Sequence, residues 1–277
     1  MFRKYGILGI ILILLVQLNF FFNIEPFARW YFPLIWFGYI FLIDAITYKL
    51  KNHSLLMNKP KQLLLMLILS SLVWWMFEYV NYVLGNWQYV NIDVFTSKTE
   101  VLLFSWLSFA TVIPAVFETV DLLRTIHLFD NVTLKRKHNI TKRFLYSMIG
   151  IGIVASMFIM LFPKQLFPFI WVSFYFILDP LNYLHKQPSI IQHLKDRKLA
   201  IPLTLFIAGI GCGVLWEFWN FWALPKWMYV LPAWTGPKLF EMPLWGYLGY
   251  GPFAWELYAM YYFVRNLFSK KKTEFFT

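Results

Sequence analysis

A single cysteine, Cys212, excludes an internal disulfide and a thiol relay. Histidine is nearly as scarce. His53, His127, His138, His185 and His193 all fall in or beside the basic loops, so no haem, His-rich zinc centre or His-box di-iron site is expected among the hydrophobic segments. No glycine-rich phosphate loop, Gly-x-Ser-x-Gly elbow or His-Glu-x-x-His occurs. No polar stretch is long enough to make a separate soluble domain, and no Lys, Arg or His stands in the middle of a hydrophobic run. What these absences leave is carboxylate acid–base chemistry, or ion and proton handling. No cofactor and no metal are expected.

What is present is mostly apolar: 60% of the 277 residues are hydrophobic and 22% aromatic, the composition of a polytopic membrane protein. Runs of the length that crosses the hydrocarbon layer fall near 6–23, 31–48, 63–84, 101–122, 144–162, 166–184, 200–222 and 243–264, which predicts eight transmembrane helices. The first of these is read as a helix and not a signal peptide, because no small-residue cleavage site follows it. Lys and Arg support the count. With the N-terminus inside, 20 of the 25 fall in cytoplasmic segments and only Arg29, Lys98, Lys164, Lys226 and Lys238 lie outside. Both termini are therefore expected in the cytoplasm, and the protein in the bacterial cell membrane as a multi-pass chain. The net charge of +11 is explained by this topology and by attraction to anionic lipid, so no nucleic-acid partner is expected.

The chain also resembles itself. Glu78-x-x-Asn81 answers Glu217-x-x-Asn220, Trp87-x-Tyr89 answers Trp227-x-Tyr229, and Pro114-x-x-x-Glu118 answers Pro252-x-x-x-Glu256. Upstream, Pro33-x-x-Trp36 with Asp44 and Tyr48 answers Pro168-x-x-Trp171 with Asp179 and Tyr183. One order and one nearly constant offset indicate tandem duplication of a unit of about 135–140 residues. The expected fold is thus all-α, a helix bundle of two parallel four-helix repeats, residues 1–135 and 136–277. An even number of crossings per unit makes the repeats parallel, related by an axis along the membrane normal, so matched residues share one depth. The segment from Ala223 to Met242, with Pro225, Pro232, Pro237, Gly236, Trp227, Tyr229 and Trp234, suits a structured cap over the bundle or an interfacial aromatic belt.

Six acids stand in the hydrophobic runs: Asp44, Glu78, Glu118, Asp179, Glu217 and Glu256. An ionised carboxylate at a helix centre costs about 2.5–3.5 kcal/mol on insertion scales, so such groups face the bundle interior and serve a purpose. Glu78, Glu217, Glu118 and Glu256 are the candidate proton-transfer groups. Glu-x-x-Asn places both side chains on one helical face, which makes Asn81 and Asn220 candidate substrate contacts or interhelical anchors. Trp87, Tyr89, Trp227, Tyr229, Asp44 and Asp179 complete the candidate binding set. Pro114 and Pro252 each free a backbone carbonyl one turn before a Glu, which fits either a kink at a site or bundle packing.

The order of an acidic residue, Trp-x-Tyr and then Pro followed closely by Glu resembles the heterodimeric and fused lycopene cyclases, small membrane enzymes of carotenoid synthesis. The similarity covers roughly 75–120 and 214–258. Where the cyclase pattern has Pro-x-Glu-Glu, this chain has a single Glu four residues after Pro. Phe240-Glu241-Met242-Pro243-Leu244 resembles a signature of bacterial polytopic membrane proteins. The resemblance implies non-redox acid–base chemistry of the cyclase, isomerase or hydratase kind, on an isoprenoid or other lipophilic small molecule. Two other readings stay open: a cation or proton transporter or channel, with acids at two depths marking its path, and a structural membrane subunit.

Overall fold

Among the described residues, six helical segments are long and apolar enough to cross a membrane: Lys4–Phe22, Tyr31–Lys51, Pro60–Leu84, Lys98–Thr125, Lys142–Leu161 and Ala200–Trp222. They come from a computed structural model that describes residues 2–137, 139–230, 236–268 and 274–276. In chain order the helices are α1 (Lys4–Phe22), α2 (Tyr31–Lys51), α3 (Leu55–Asn58), α4 (Pro60–Leu84), α5 (Lys98–Ala110), α6 (Val112–Thr125), α7 (Lys142–Leu161), α8 (Pro163–Leu166), α9 (Ile170–Leu184), α10 (Ile190–Lys195), α11 (Ala200–Trp222) and α12 (Tyr250–Phe268). The two remaining hydrophobic windows also fall on helices, with shifted bounds. The window at 166–184 gives α9, only 15 residues long and holding Pro180. The window at 243–264 begins with a 3-10 segment, Leu244–Gly249, and becomes α-helical only at Tyr250. His138, Pro232 and Trp234 lie outside the described residues.

Polarity is arranged inside out. Ile7, Leu14, Leu15, Leu18 and Phe21 of α1, and Ile151, Val154, Met157 and Leu161 of α7, are exposed. Asp44, Glu118, Asp179, Glu217, Asn220 and Glu256 are all 0% exposed. An apolar exterior around a carboxylate-bearing interior belongs in lipid, where exposed aliphatic side chains carry no cost. The outer helices α1 and α7 pack mainly on α2 and α9, while α6, α11 and α12 form the centre.

A proline sets the start of two central helices. Pro114 has no N–H for the carbonyl of Ala110, and there the span Lys98–Thr125 divides into α5 and α6. Ser70 of α4 bridges the break, donating to the Phe109 carbonyl at 2.5 Å and accepting from the Ile113 N–H at 3.0 Å. Pro252 likewise lies in the first turn of α12. Glu118 and Glu256 follow one turn later.

Asp44 and Asp179 organise the turns after their helices. Asp179 accepts from the N–H groups of Ile190 and Ile191 at 2.7 and 2.9 Å, at the start of α10. Asp44 accepts from the N–H of Leu56 in α3 at 2.8 Å and from the Tyr5 hydroxyl at 2.5 Å. Ser54 and Ser189 are the N-caps, accepting from Met57 and Gln192. Each buried carboxylate thus satisfies helix-start donors that have no intrahelical partner.

The C-terminal segment folds back onto this end of the bundle. Glu274 accepts from the hydroxyls of Tyr258 and Tyr262 at 2.5 Å each and lies 3.2 Å from His193 Nε2. Phe275 and Phe276 are buried against Phe117. Burial alone would raise the Glu274 carboxyl, but His193 and the two tyrosines hold it below its ordinary value. A carboxyl lowered in the docked state stabilises docking above its undocked pKa and loses that contribution as pH falls through the docked one. The contribution of Glu274 to tail docking is therefore present above its ordinary pKa and should be lost as pH falls below about 4. Hydrogen exchange at the Phe275 N–H, held by the Tyr262 hydroxyl at 2.8 Å, should speed up there; protection unchanged to lower pH would exclude Glu274 as the latch.

Candidate functional site

The site begins with two asparagines. Asn81 ends its helix by accepting from the N–H groups of Asn86 and Trp87, at 2.9 and 3.0 Å, and donating to the Trp87 carbonyl at 2.9 Å. Asn220 does the same at Trp227, accepting from its N–H and donating to its carbonyl, both at 2.9 Å. Both amides are spent on backbone, so they position the chain and do not touch a carboxylate. The chain they aim forms β1 (Trp87–Val90) and β2 (Lys226–Tyr229), which pair antiparallel with Trp87 opposite Tyr229 and Tyr89 opposite Trp227. A second hairpin, β3 (Lys238–Leu239) with β4 (Met242–Pro243), follows, and Lys226 reaches Glu241 at 2.9 Å. The described part of the proline-rich segment is therefore an ordered cover.

The ribbon carries its aromatic side chains to the two acids. Glu78 Oε1 accepts from the Tyr89 hydroxyl at 2.5 Å, Trp74 Nε1 at 3.0 Å and Trp87 Nε1 at 3.3 Å. Glu217 Oε1 accepts from the Tyr250 hydroxyl at 2.5 Å and the Tyr229 hydroxyl at 2.8 Å. Burial first, and then the neighbouring carboxylate, push the phenols of Tyr89 and Tyr229 well above their ordinary values, which keeps both as neutral hydroxyls.

These donors wall a cavity of about 150 Å³. Trp74, Trp87, Tyr89, Trp171, Trp216, Trp227, Tyr229, Tyr250 and Phe253 line it, with Phe95, Phe104, Phe109 and Met242 toward its other sides. Trp171 stacks on both Trp74 and Trp87, at interplanar angles of 23° and 26°. An apolar cavity of this volume takes a benzene-sized group. The carboxylates themselves stand behind the wall, each reaching the cavity through a phenol.

Trp87, Tyr89, Trp227 and Tyr229 thus share one cavity, with Glu78 and Glu217 one bond behind. Glu118 and Glu256 are not among its lining residues. Both oxygens of each are buried without a hydrogen-bond partner. Glu118 lies beside Asp44, with Asp121 and Lys51 near it and joined at 2.6 Å; Glu256 is approached by the backbone of Phe174 and Tyr175. Asp44 and Asp179 are held at α3 and α10 as described above. Sequence reading missed Tyr250, Trp74, Trp171 and Phe253. Trp171 was legible in its Pro-x-x-Trp pattern, whereas Tyr250 has no tyrosine at the matching position, Val112. Among the described residues no group of three or more His, Cys, Asp or Glu is placed to hold a metal ion. Comparison with known proteins places the chain beside none of them: no family model, no curated protein and no solved structure is significantly similar to it.

Proposed function

We propose that the chain is a membrane enzyme that performs non-redox acid–base chemistry on the end of an isoprenoid or other lipid held in the aromatic cavity. The observation that carries this reading is the wall itself: tryptophan and tyrosine faces around a ring-sized space, with two carboxylates, Glu217 buried and Glu78 half-buried, connected to it by short hydrogen bonds from phenols. When Glu217 is protonated, it donates to a tyrosine oxygen and that tyrosine's own hydrogen turns to the ligand. A proton then passes to a double bond or hydroxyl of the ligand while the tyrosine regains one from Glu217. The cation so formed lies against aromatic faces, each worth about 0.5–2 kcal/mol of cation–π attraction. Loss of a proton back along the same path restores the acid, so the sequence isomerises or cyclises the ligand with no redox partner.

The lycopene cyclase resemblance agrees with this chemistry. The cavity volume restricts the reacting part to one end of a long substrate, the remainder lying outside among lipid chains. The transport reading is served less well, because the cavity is lined by rings and the matched acids at the other depth do not open into it.

The same proposal includes eight crossings in two parallel repeats with both termini cytoplasmic. Reporter fusions after Lys51 and after Lys272 should both read cytoplasmic, and opposite readings would remove the arrangement. The enzyme reading is tested by mass spectrometry of lipids bound to the purified protein. A specific lipophilic compound should be retained by wild type and lost when Trp171→Ala and Trp87→Ala are combined. Retention of nothing but bulk phospholipid by both proteins would overturn it.

A further inference from the structure

The two carboxylates of the cavity are not served alike, and the difference is carried by two exchanged positions. Four residues before Glu78 stands Trp74; four residues before Glu217 stands Gly213. Two residues before Pro114 stands Val112; two residues before Pro252 stands Tyr250. On the first side the ring that donates to the acid comes from the acid's own helix, α4. On the second it comes from the neighbouring helix, α12, into the space that Gly213 leaves. A Cβ at Gly213 would lie 2.2 Å from Cδ2 of the Tyr250 ring and 2.3 Å from its Cγ, closer than any side chain tolerates without moving the ring. The pair therefore exchanges as a unit.

The exchange alters the polar inventory of the cavity. On the Glu78 side Trp74, Trp87 and Tyr89 all give their hydrogens to Glu78 Oε1, and the wall group left over is the buried hydroxyl of Ser108, a side chain that can turn to a carbonyl of its own helix. On the Glu217 side Tyr250 and Tyr229 occupy Oε1, and the indole that matches Trp87 is left over. Trp227 Nε1 is buried, belongs to a residue lining the cavity, and makes no hydrogen bond of normal geometry, with Glu217 and the Tyr229 hydroxyl close to it; Glu217 Oε2 is buried and likewise unbonded. A buried donor left unsatisfied is costly, and a ligand whose oxygen accepts from Trp227 Nε1 recovers that cost.

We propose that Gly213 and Tyr250 are orientation-determining residues: the cavity takes a lipid alcohol with its hydroxyl on the Glu217–Trp227–Tyr250 side and its hydrocarbon on the Trp74–Trp87–Trp171 side. This rests on the lipid-enzyme reading above and narrows its substrate class. A hydroxyl accepts from Trp227 Nε1 and also donates to a phenol oxygen, which a carbonyl or a plain hydrocarbon cannot do together. The proton of Glu217 then reaches that hydroxyl through Tyr250. In an allylic alcohol the C–O bond then breaks, water leaves, and the allylic cation held against the indole faces loses a proton from the adjoining carbon back through Tyr250 to Glu217, which leaves a conjugated diene and restores the acid.

Photo-crosslinking tests this in the full-length protein. Three probes are used: a prenol-type alcohol with a diazirine beside the hydroxyl, the same alcohol with the diazirine at the far end, and the matching hydrocarbon without the hydroxyl. The head probe should label the segments around Trp227 and Gly246–Tyr250 over those around Trp74 and Phe104–Phe109 by about five-fold, the ratio one net hydrogen bond gives. The far-end probe should reverse the bias, and the hydrocarbon should show none. Tyr250→Phe, which keeps the ring, should reduce the bias. Gly213→Trp with Tyr250→Val, which copies the first side onto the second, should abolish it; if that pair fails to fold, Tyr250→Phe decides alone. Equal labelling of both sides by the alcohols, a bias equally strong for the hydrocarbon, or a bias unaffected by Tyr250→Phe overturns the proposal while leaving the cavity as a lipid site. Absence of cavity labelling by all three probes overturns the lipid-site reading with it.

Discussion

Asp179→Ala is expected to lower the thermal stability of the detergent-solubilised protein strongly, and Asp44→Ala to lower it less. Asp179 is the acceptor for two backbone N–H groups, at Ile190 and Ile191, in a position without solvent. Alanine leaves both donors buried and unpaired, at about 1–3 kcal/mol each. Asp44 serves one backbone N–H, that of Leu56, and a tyrosine hydroxyl that can turn elsewhere. The loss at Asp179 also propagates. α10 carries His193, and His193 holds Glu274, so Asp179→Ala should release the C-terminal segment as well. Asp179→Asn keeps one acceptor and should fall between alanine and wild type. Unfolding curves of the three variants decide the matter. Equal melting of Asp179→Ala and wild type would mean that the carboxylate is not needed by the turn, and its place among the candidate ligand contacts would regain force.

Those two aspartates show what was readable in the sequence and what was not. An acid inside a hydrophobic run announces that something pairs with it, because lipid does not. The run does not say whether the partner is a ligand or a backbone. Ser54 and Ser189, each at a helix start after a loop, were the available signal that the partner is backbone. Asn81 and Asn220 follow the same logic, since an amide near a helix end is suited to satisfying the turn that follows. The hydrophobic windows located the helices because length and apolarity decide helix formation in lipid. They misplaced the start of α12, because Leu244–Gly249 is as apolar as a helix while Gly246, Gly249 and Pro252 shape its backbone. Tyr250 was out of reach for a different reason. Comparing the two halves position by position finds identities, and a ring moved from one helix to its neighbour appears only as two unrelated mismatches, Trp74 against Gly213 and Val112 against Tyr250. The partnership of β1 with β2 was implicit in the twin Trp-x-Tyr motifs, but two short strands in separate loops carry no pairing signal until the helices bring them together.

Glu217→Gln should leave the fold intact and remove chemistry, and this is the largest functional effect expected of any single substitution. Glutamine keeps the length of the side chain and an oxygen that accepts from Tyr229 and Tyr250, so the cost to stability should be near the average of about 0.6 kcal/mol for a polar contact between membrane helices. What it cannot do is give up or take back a proton. Loss of a positioned general acid typically costs 10²–10⁴-fold, so turnover of the bound lipid should fall by about that factor. The compound retained by the variant should then be unreacted substrate, which identifies it by mass spectrometry. Glu78→Gln keeps an acceptor for Tyr89, Trp74 and Trp87, all three of which are spent on that side chain, so it should weaken retention of the lipid more than its conversion. Tyr250→Phe should reproduce the loss of conversion seen with Glu217→Gln if the proton travels through that phenol. Conversion lost in Glu78→Gln but normal in Glu217→Gln would exchange the roles of the two acids. Normal conversion in the double variant Glu78→Gln, Glu217→Gln would withdraw both from catalysis and leave them as hydrogen-bonded supports of the aromatic wall.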